Sequence, residues 1–228
     1  MQVIVIAENE ENRDVLSFLL RNTGLSVARS AKVNLVSKSL LESPADLLVI
    51  APDTAVQAVE DVKALRAVSQ APLLVLVENL PESEHCQLLD VGADLVMKRP
   101  FSSRVFVRYV RVFLLRTGNI PVSMLSTVAA GDFTLEPETR IVHIPGKAPQ
   151  QLTLLEFRLL YILMTNTNQV IPVDMIVERV WGYEGEGNRE LVRGLVRRLR
   201  RKIEPNPKEP SYIQNLPGIG YRFEDVAK

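Results

Sequence analysis

Cysteine, histidine and long apolar runs are what this 228-residue chain has least of. A single cysteine, Cys86, leaves nothing for an intramolecular disulfide and points to a reducing compartment. Cys86 sits beside His85, with no second Cys or His near the pair, so a metal site is not expected. No apolar stretch approaches the roughly 20 residues of a membrane span. The N-terminal MQVIVIAENEEN has too short an apolar run, and no basic segment before it, for a secretory leader. Charge of one sign is missing too. The 27 basic residues balance 27 acidic ones, with 13 and 14 before Gly118 and 14 and 13 after it. A global attraction to polyanions is thereby excluded. There is no nucleophile–base pair, no set of metal-spaced ligands and no glycine-rich phosphate loop, so the chain does not read as an enzyme. The expectation is a cytoplasmic protein without membrane contact or cofactor, long enough for two small domains.

What the chain does have is a local concentration of arginine. In Arg189–Ile203, a wheel of about 100° per residue stacks Val192, Val196, Leu199 and Ile203 into an apolar stripe edged by Leu195. Arg193, Arg197, Arg198, Arg200 and Arg201 spread over the opposite half, and the wheel points Leu191, Gly194, Arg197, Arg198 and Arg201 outward. Guanidinium groups are permanently charged and forked, which suits phosphate oxygens and the edge of guanine. An apolar strand, a Pro-Gly turn and a second strand with Tyr221 and Phe223 follow. Helix then β-hairpin is the layout of a winged-helix DNA reader.

The first half alternates strand and helix. Val3–Ala7, Leu47–Ala51 and Leu73–Val77 are short continuous apolar runs, with Val27–Ala28 and Leu95–Met97 as shorter companions. Such runs mark strands covered on both faces of a parallel sheet. Helical patterns occupy Asn12–Asn22, Leu35–Glu42, Ala55–Val68, Glu82–Asp90 and Ser103–Arg116. The expected fold is an α/β doubly wound, flavodoxin-like domain, whose reactive groups would gather at the carboxyl ends of the strands. In the second half, Gly131–Leu135, Arg140–Ile144 and Gln150–Leu152 read as a small antiparallel sheet. Thr153-Leu154-Leu155-Glu156 is a capping box, and Pro172 fits the first turn of a helix running to Trp181. The domains are expected at 1–117 and 128–228, joined by a linker at 118–127 rich in Gly, Pro, Ser and Asn.

The ordered segments LTLLEFRLL, VWGY, VRRLRRKIE and IQNLPGIGYRF, with Gly92-Ala93-Asp94 and Pro100-Phe101 before them, resemble the OmpR/PhoB-type response regulators of two-component systems. The resemblance covers nearly the whole chain and implies a receiver domain followed by an α+β winged-helix domain. It places Glu8 and Asn9 at the acidic pair that holds Mg²⁺, Ala51 at the phosphoacceptor aspartate, Val77 at the hydroxyl position and Arg99 at the lysine. Val96 falls at the aromatic switch position. Phosphoryl transfer needs a carboxylate nucleophile and a metal to neutralise developing charge. Ala51 offers no nucleophile, and Glu8 with Asn9 supplies one charge where two are usual. The receiver is therefore expected to be phosphorylation-silent. Asp53, two residues on, reads as a helix cap.

The same resemblance puts Arg189–Ile203 in the major groove, with Arg198 at the base-reading position. Arg193, Arg197, Arg200 and Arg201 are assigned to the duplex as well, mainly to phosphates. Trp181, Asn215 and Tyr221 complete the expected DNA face, and Pro217 replaces the wing arginine. Relatives carry charged residues at the positions of Val105 and Tyr109. With Val112 these make a second apolar stripe on the Ser103–Arg116 helix, expected to form a homodimer seam. Such a dimer would present two arginine helices to tandem half-sites on double-stranded DNA, with RNA polymerase as a candidate partner. The leading reading is a sequence-specific transcription regulator independent of aspartyl phosphorylation. The alternative is a signalling adaptor whose pseudo-receiver binds a protein or small ligand, with DNA binding secondary.

Overall fold

The computed structural model describes residues 1–42, 44–78, 80–115, 126–181 and 189–225. The chain divides into two units, Met1–Leu114 and Leu115–Lys228. Of the segment expected as linker, only 126 and 127 are among the described residues.

In the first unit five strands alternate with five helices. They are β1 (Gln2–Ile6), α1 (Glu10–Arg21), β2 (Ser26–Ser30), α2 (Val33–Glu42), β3 (Leu47–Ile50), α3 (Ala55–Arg66), β4 (Leu73–Val77), α4 (Glu82–Val91), β5 (Leu95–Lys98) and α5 (Ser103–Leu115). All strand pairings are parallel, in the order β2-β1-β3-β4-β5. β3 and β4 are buried along their whole length, as continuous apolar runs require of a sheet covered on both faces. Edge strand β2, reading Ser-Val-Ala-Arg-Ser, is only partly covered. A buried carboxylate pins the far edge: Asp94 accepts from Leu73 N (2.9 Å) and from Arg66 Nη2 (2.6 Å). The α3 cap is Thr54, whose hydroxyl accepts from Gln57 N; Asp53, expected in that role, sits exposed one residue earlier.

The second unit opens with an antiparallel sheet of β6 (Val128–Ala130), β7 (Phe133–Glu136), β8 (Ile141–His143) and β9 (Gln150–Gln151). β6 is too short for its alternation to show in the sequence. Helix α6 (Leu154–Thr165) starts on the expected capping box, with Thr153 N donating to Glu156 Oε2 and Glu156 N to Thr153 Oγ1. A two-residue strand β10 (Ile171–Pro172), α7 (Val173–Trp181), α8 (Arg189–Ile203) and the hairpin β11 (Ile213–Leu216) and β12 (Gly220–Phe223) follow. Pro172 is thus not in the first turn of α7: it pairs with Gly220 in the sheet β10-β12-β11. Pairing demands close approach, because a Cβ at Gly220 would lie 2.0 Å from the Ile171 carbonyl oxygen. Phe133 packs edge-on against Tyr212 and Phe223, with centroids 4.5 and 5.3 Å away, joining the β6–β9 sheet to the hairpin.

Candidate functional site

Helix α8 docks by more of its circumference than an apolar stripe suggests. Leu191, Val192, Gly194, Leu195, Val196, Arg198, Leu199 and Ile203 are all buried. Leu191, Gly194 and Arg198 therefore do not point outward. Arg198 is 7% exposed, with Nε 3.8 Å from Glu156 Oε1, and Lys202 Nζ lies 2.7 Å from Glu156 Oε2. Burial alone would raise the Glu156 carboxyl, but Lys202, Arg198 and the Thr153 N–H together hold it below the ordinary carboxylate range. The wheel fails at Arg198 because it gives direction without saying what lies across the way; here that is a capping-box glutamate 42 residues earlier in the chain. This burial removes the outward placement on which the assignment of Arg198 to base reading rested.

Three further expectations are corrected. Trp181 is 2% exposed, so its ring belongs to the core and its N–H does not reach a phosphate. Arg200 turns toward the hairpin, where Nε and Nη2 donate to the Ile213 carbonyl at 3.2 and 2.6 Å. Tyr221 is buried against β10 and α8. Burial raises its phenol, which Arg200 and Arg193 partly offset.

What remains outward is regular. Arg189, Arg193, Arg197 and Arg201 fall four residues apart and are all exposed, forming a row inclined to the axis of α8 that turns about 40° per step. Arg189, not assigned from the sequence, completes the row; continuing the Arg193–Arg197–Arg201 spacing back one turn finds it. Glu190 Oε1 accepts from Arg193 Nη1 at 2.7 Å and holds that side chain. Between the start of α8 and the hairpin turn lies a cleft of about 150 Å³ bordered by Arg189, Arg193, Asn215 and Tyr221. Asn215 is exposed, as a contact residue must be.

At the carboxyl ends of the receiver sheet, the side chains can be placed one by one. Ala51 and Val77 are 0 and 1% exposed and bring only methyl groups. Asn9 caps α1 by accepting from Asn12 N, and Glu8 Oε1 accepts from Gln57 Nε2 at 3.2 Å. Arg13 Nη1, which sequence reasoning passed over, donates to the carbonyls of Ala7 and Glu8 (2.5 and 2.9 Å) and ties down the loop after β1. Arg99 Nη2 donates to Pro52 O at 3.0 Å and Nη1 lies 4.0 Å from exposed Glu78. The loops after β3 and β5 are thus joined by a permanent cation. On α5, Phe106 and Val110 are fully buried while Val105 is 45% exposed and Tyr109 half-buried. The Val112 side chain lies outside the described residues. No group of three His, Cys, Asp or Glu able to hold a metal occurs among the described residues, and none of their helices is long and apolar enough to cross a membrane.

Comparison with known proteins gives a consistent picture. The family described as "Transcriptional regulatory protein, C terminal" matches residues 147–223. The sensory transduction protein RegX3 of Mycobacterium tuberculosis is 30% identical over 227 residues, covering 98% of this chain and 100% of the relative. The KDP operon transcriptional regulatory protein KdpE of Escherichia coli is 29% identical, covering 97% and 98%. Among solved structures, a RitR mutant superposes with a TM-score of 0.78 over 98% of this chain and 99% of that one, at 19% identity, a likeness of fold.

Proposed function

The chain belongs to the OmpR/PhoB-type response regulators, DNA-binding regulators of transcription, and from that premise we propose that it works without an aspartyl phosphate. The observation that carries this reading is the pair Ala51 and Val77, buried where a nucleophile and a hydroxyl would be needed. Arg99 supports it: its bond to Pro52 O links the two loops that a phosphoryl group would otherwise bridge.

On the DNA side, the row Arg189, Arg193, Arg197 and Arg201 meets the major groove. Arg197, mid-helix, is placed to reach base edges, and Arg189 and Arg193, beside the cleft, take backbone phosphates together with Asn215. The receiver serves as a homodimer module through Val105, Tyr109 and Val112, and RNA polymerase is the partner to test once operator binding is established.

The test is incubation with acetyl phosphate and Mg²⁺, followed by intact mass and a titration against DNA from the protein's own upstream region. Mass and affinity are expected to stay unchanged. A stoichiometric phosphoryl adduct on Asp53, the exposed carboxylate two residues past Ala51, would overturn the reading.

A further inference from the structure

Beyond the ends of β1 and β3 the first unit holds a cavity of about 330 Å³, within the roughly 300–1,000 Å³ typical of ligand pockets. Its position follows from strand order. The chain leaves β1 for β2 on one side, while β3 lies on the other, so the connections part between β1 and β3 and leave a crevice at their carboxyl ends. Ile6, Ala7, Val33 and Pro52 give it an apolar floor, and Asn34, Ser37 and Gln57 add neutral polar groups.

The charged walls are uneven: Glu8, Glu60 and Asp61 face a single ammonium, Lys32. Glu8 has the Gln57 amide as partner. Asp61, half-buried, has no hydrogen bond or ion pair among the described residues. Burial, then Glu8 and Glu60, push its carboxyl up to about 6. Three carboxylates against one ammonium leave this wall with an excess of negative charge. No group of three His, Cys, Asp or Glu able to hold a metal ion occurs among the described residues, and together with the apolar floor this favours an organic cation over an inorganic one.

We propose that this cavity binds a small organic cation, an amine or guanidine on a compact apolar body, as the input that replaces phosphorylation. The inference rests on the phosphate-independent reading above. The occupant would touch Pro52, whose carbonyl is bonded to Arg99, and so reach the loop that leads into α5.

The experiment uses the full chain with putrescine, agmatine and phenethylamine as probes, and with benzoate and MgCl₂ as controls, read by thermal shift and calorimetry at pH 7.5. At least one amine is expected to bind with a submillimolar Kd. Asp61→Asn should weaken it tenfold or more while the free variant melts no lower than the parent, and Ala64→Phe, which fills the cavity from its rim, should abolish binding. The proposal is overturned if none of the three cations binds, if both variants bind like the parent, or if benzoate or Mg²⁺ takes the site instead. A phosphoryl adduct would sink the functional reading while leaving these affinities untouched; missing affinity in a protein that stays unphosphorylated sinks this proposal alone.

Discussion

Arg197 and Arg198 are adjacent, identical in chemistry and opposite in placement, so substituting each separates recognition from stability. Arg197 is exposed, and Arg197→Ala should leave urea stability within about 0.5 kcal/mol of the parent and cost about 1–3 kcal/mol in DNA affinity. Arg198 faces Glu156 inside the unit, and Arg198→Ala should cost on the order of 2 kcal/mol of folding stability, since Lys202 keeps part of the pair. Urea melts paired with titrations on operator and scrambled DNA check both. Loss of sequence preference in Arg198→Ala at unchanged stability would return that residue to the DNA face. Asp61 gives a second residue-level prediction. Its carboxyl binds a proton more tightly in the folded than in the unfolded state, so stability falls as pH rises through about 6. Asp61→Asn should therefore raise the unfolding free energy at pH 7.5, by on the order of 1 kcal/mol after allowing for solvent screening, and leave it unchanged near pH 4. An equal gain at both pH values would mean that charge is not the cause.

Among the elements, the winged hairpin depends on two glycines for different physical reasons. Gly218 in the turn has φ +79° with open space around it, so Gly218→Ala should cost only about 1 kcal/mol of backbone strain. Gly220 faces Ile171 O, and Gly220→Ala should open the β10–β12 pairing at about 1–3 kcal/mol. DNA affinity should fall with it although every arginine of α8 is intact. Equal effects of the two substitutions, measured by urea melts and DNA titration, would contradict this account. The elements themselves were largely legible in the sequence, because parallel strands buried on both faces read as unbroken apolar runs and Thr153 with Glu156 declares its capping box. Illegible were features decided across the chain. Pro172 satisfies the rule for a helix start equally well as a strand end, and only Gly220, 48 residues later, selects between them. Arg198 looks outward in isolation, and the glutamate it faces is remote in sequence. Ala51 and Val77 are read directly from residue identity at strand ends, whereas the cavity behind Asp61 is shaped by α2, α3 and β1 together.

For the whole molecule, zero net charge hides complementary local fields. Helix α5 carries Arg104, Arg108 and Arg111 and no carboxylate, whereas α4 carries Glu82, Glu84 and Asp90 and no lysine or arginine. Two copies related by a two-fold axis could set α4 of one against α5 of the other, so that opposite charges frame the apolar seam at Val105 and Tyr109. Because isologous packing of this kind involves no phosphoryl group, the unmodified protein is expected to sediment as a dimer at micromolar concentration. Tyr109→Glu puts a carboxylate in the seam and should yield monomers with unchanged far-UV circular dichroism. The proposed dimer would also shape DNA binding, since paired α8 helices can engage half-sites about one helical turn apart. The dimer should thus bind two half-sites far more tightly than one, with a salt slope reduced by about 2 for each phosphate-contacting arginine position substituted, one contact being lost from each copy. Tyr109→Glu should lose the two-site advantage while keeping single-site affinity. A parent that sediments as a monomer, or a variant that keeps the two-site advantage, would remove the receiver seam from the account of this protein.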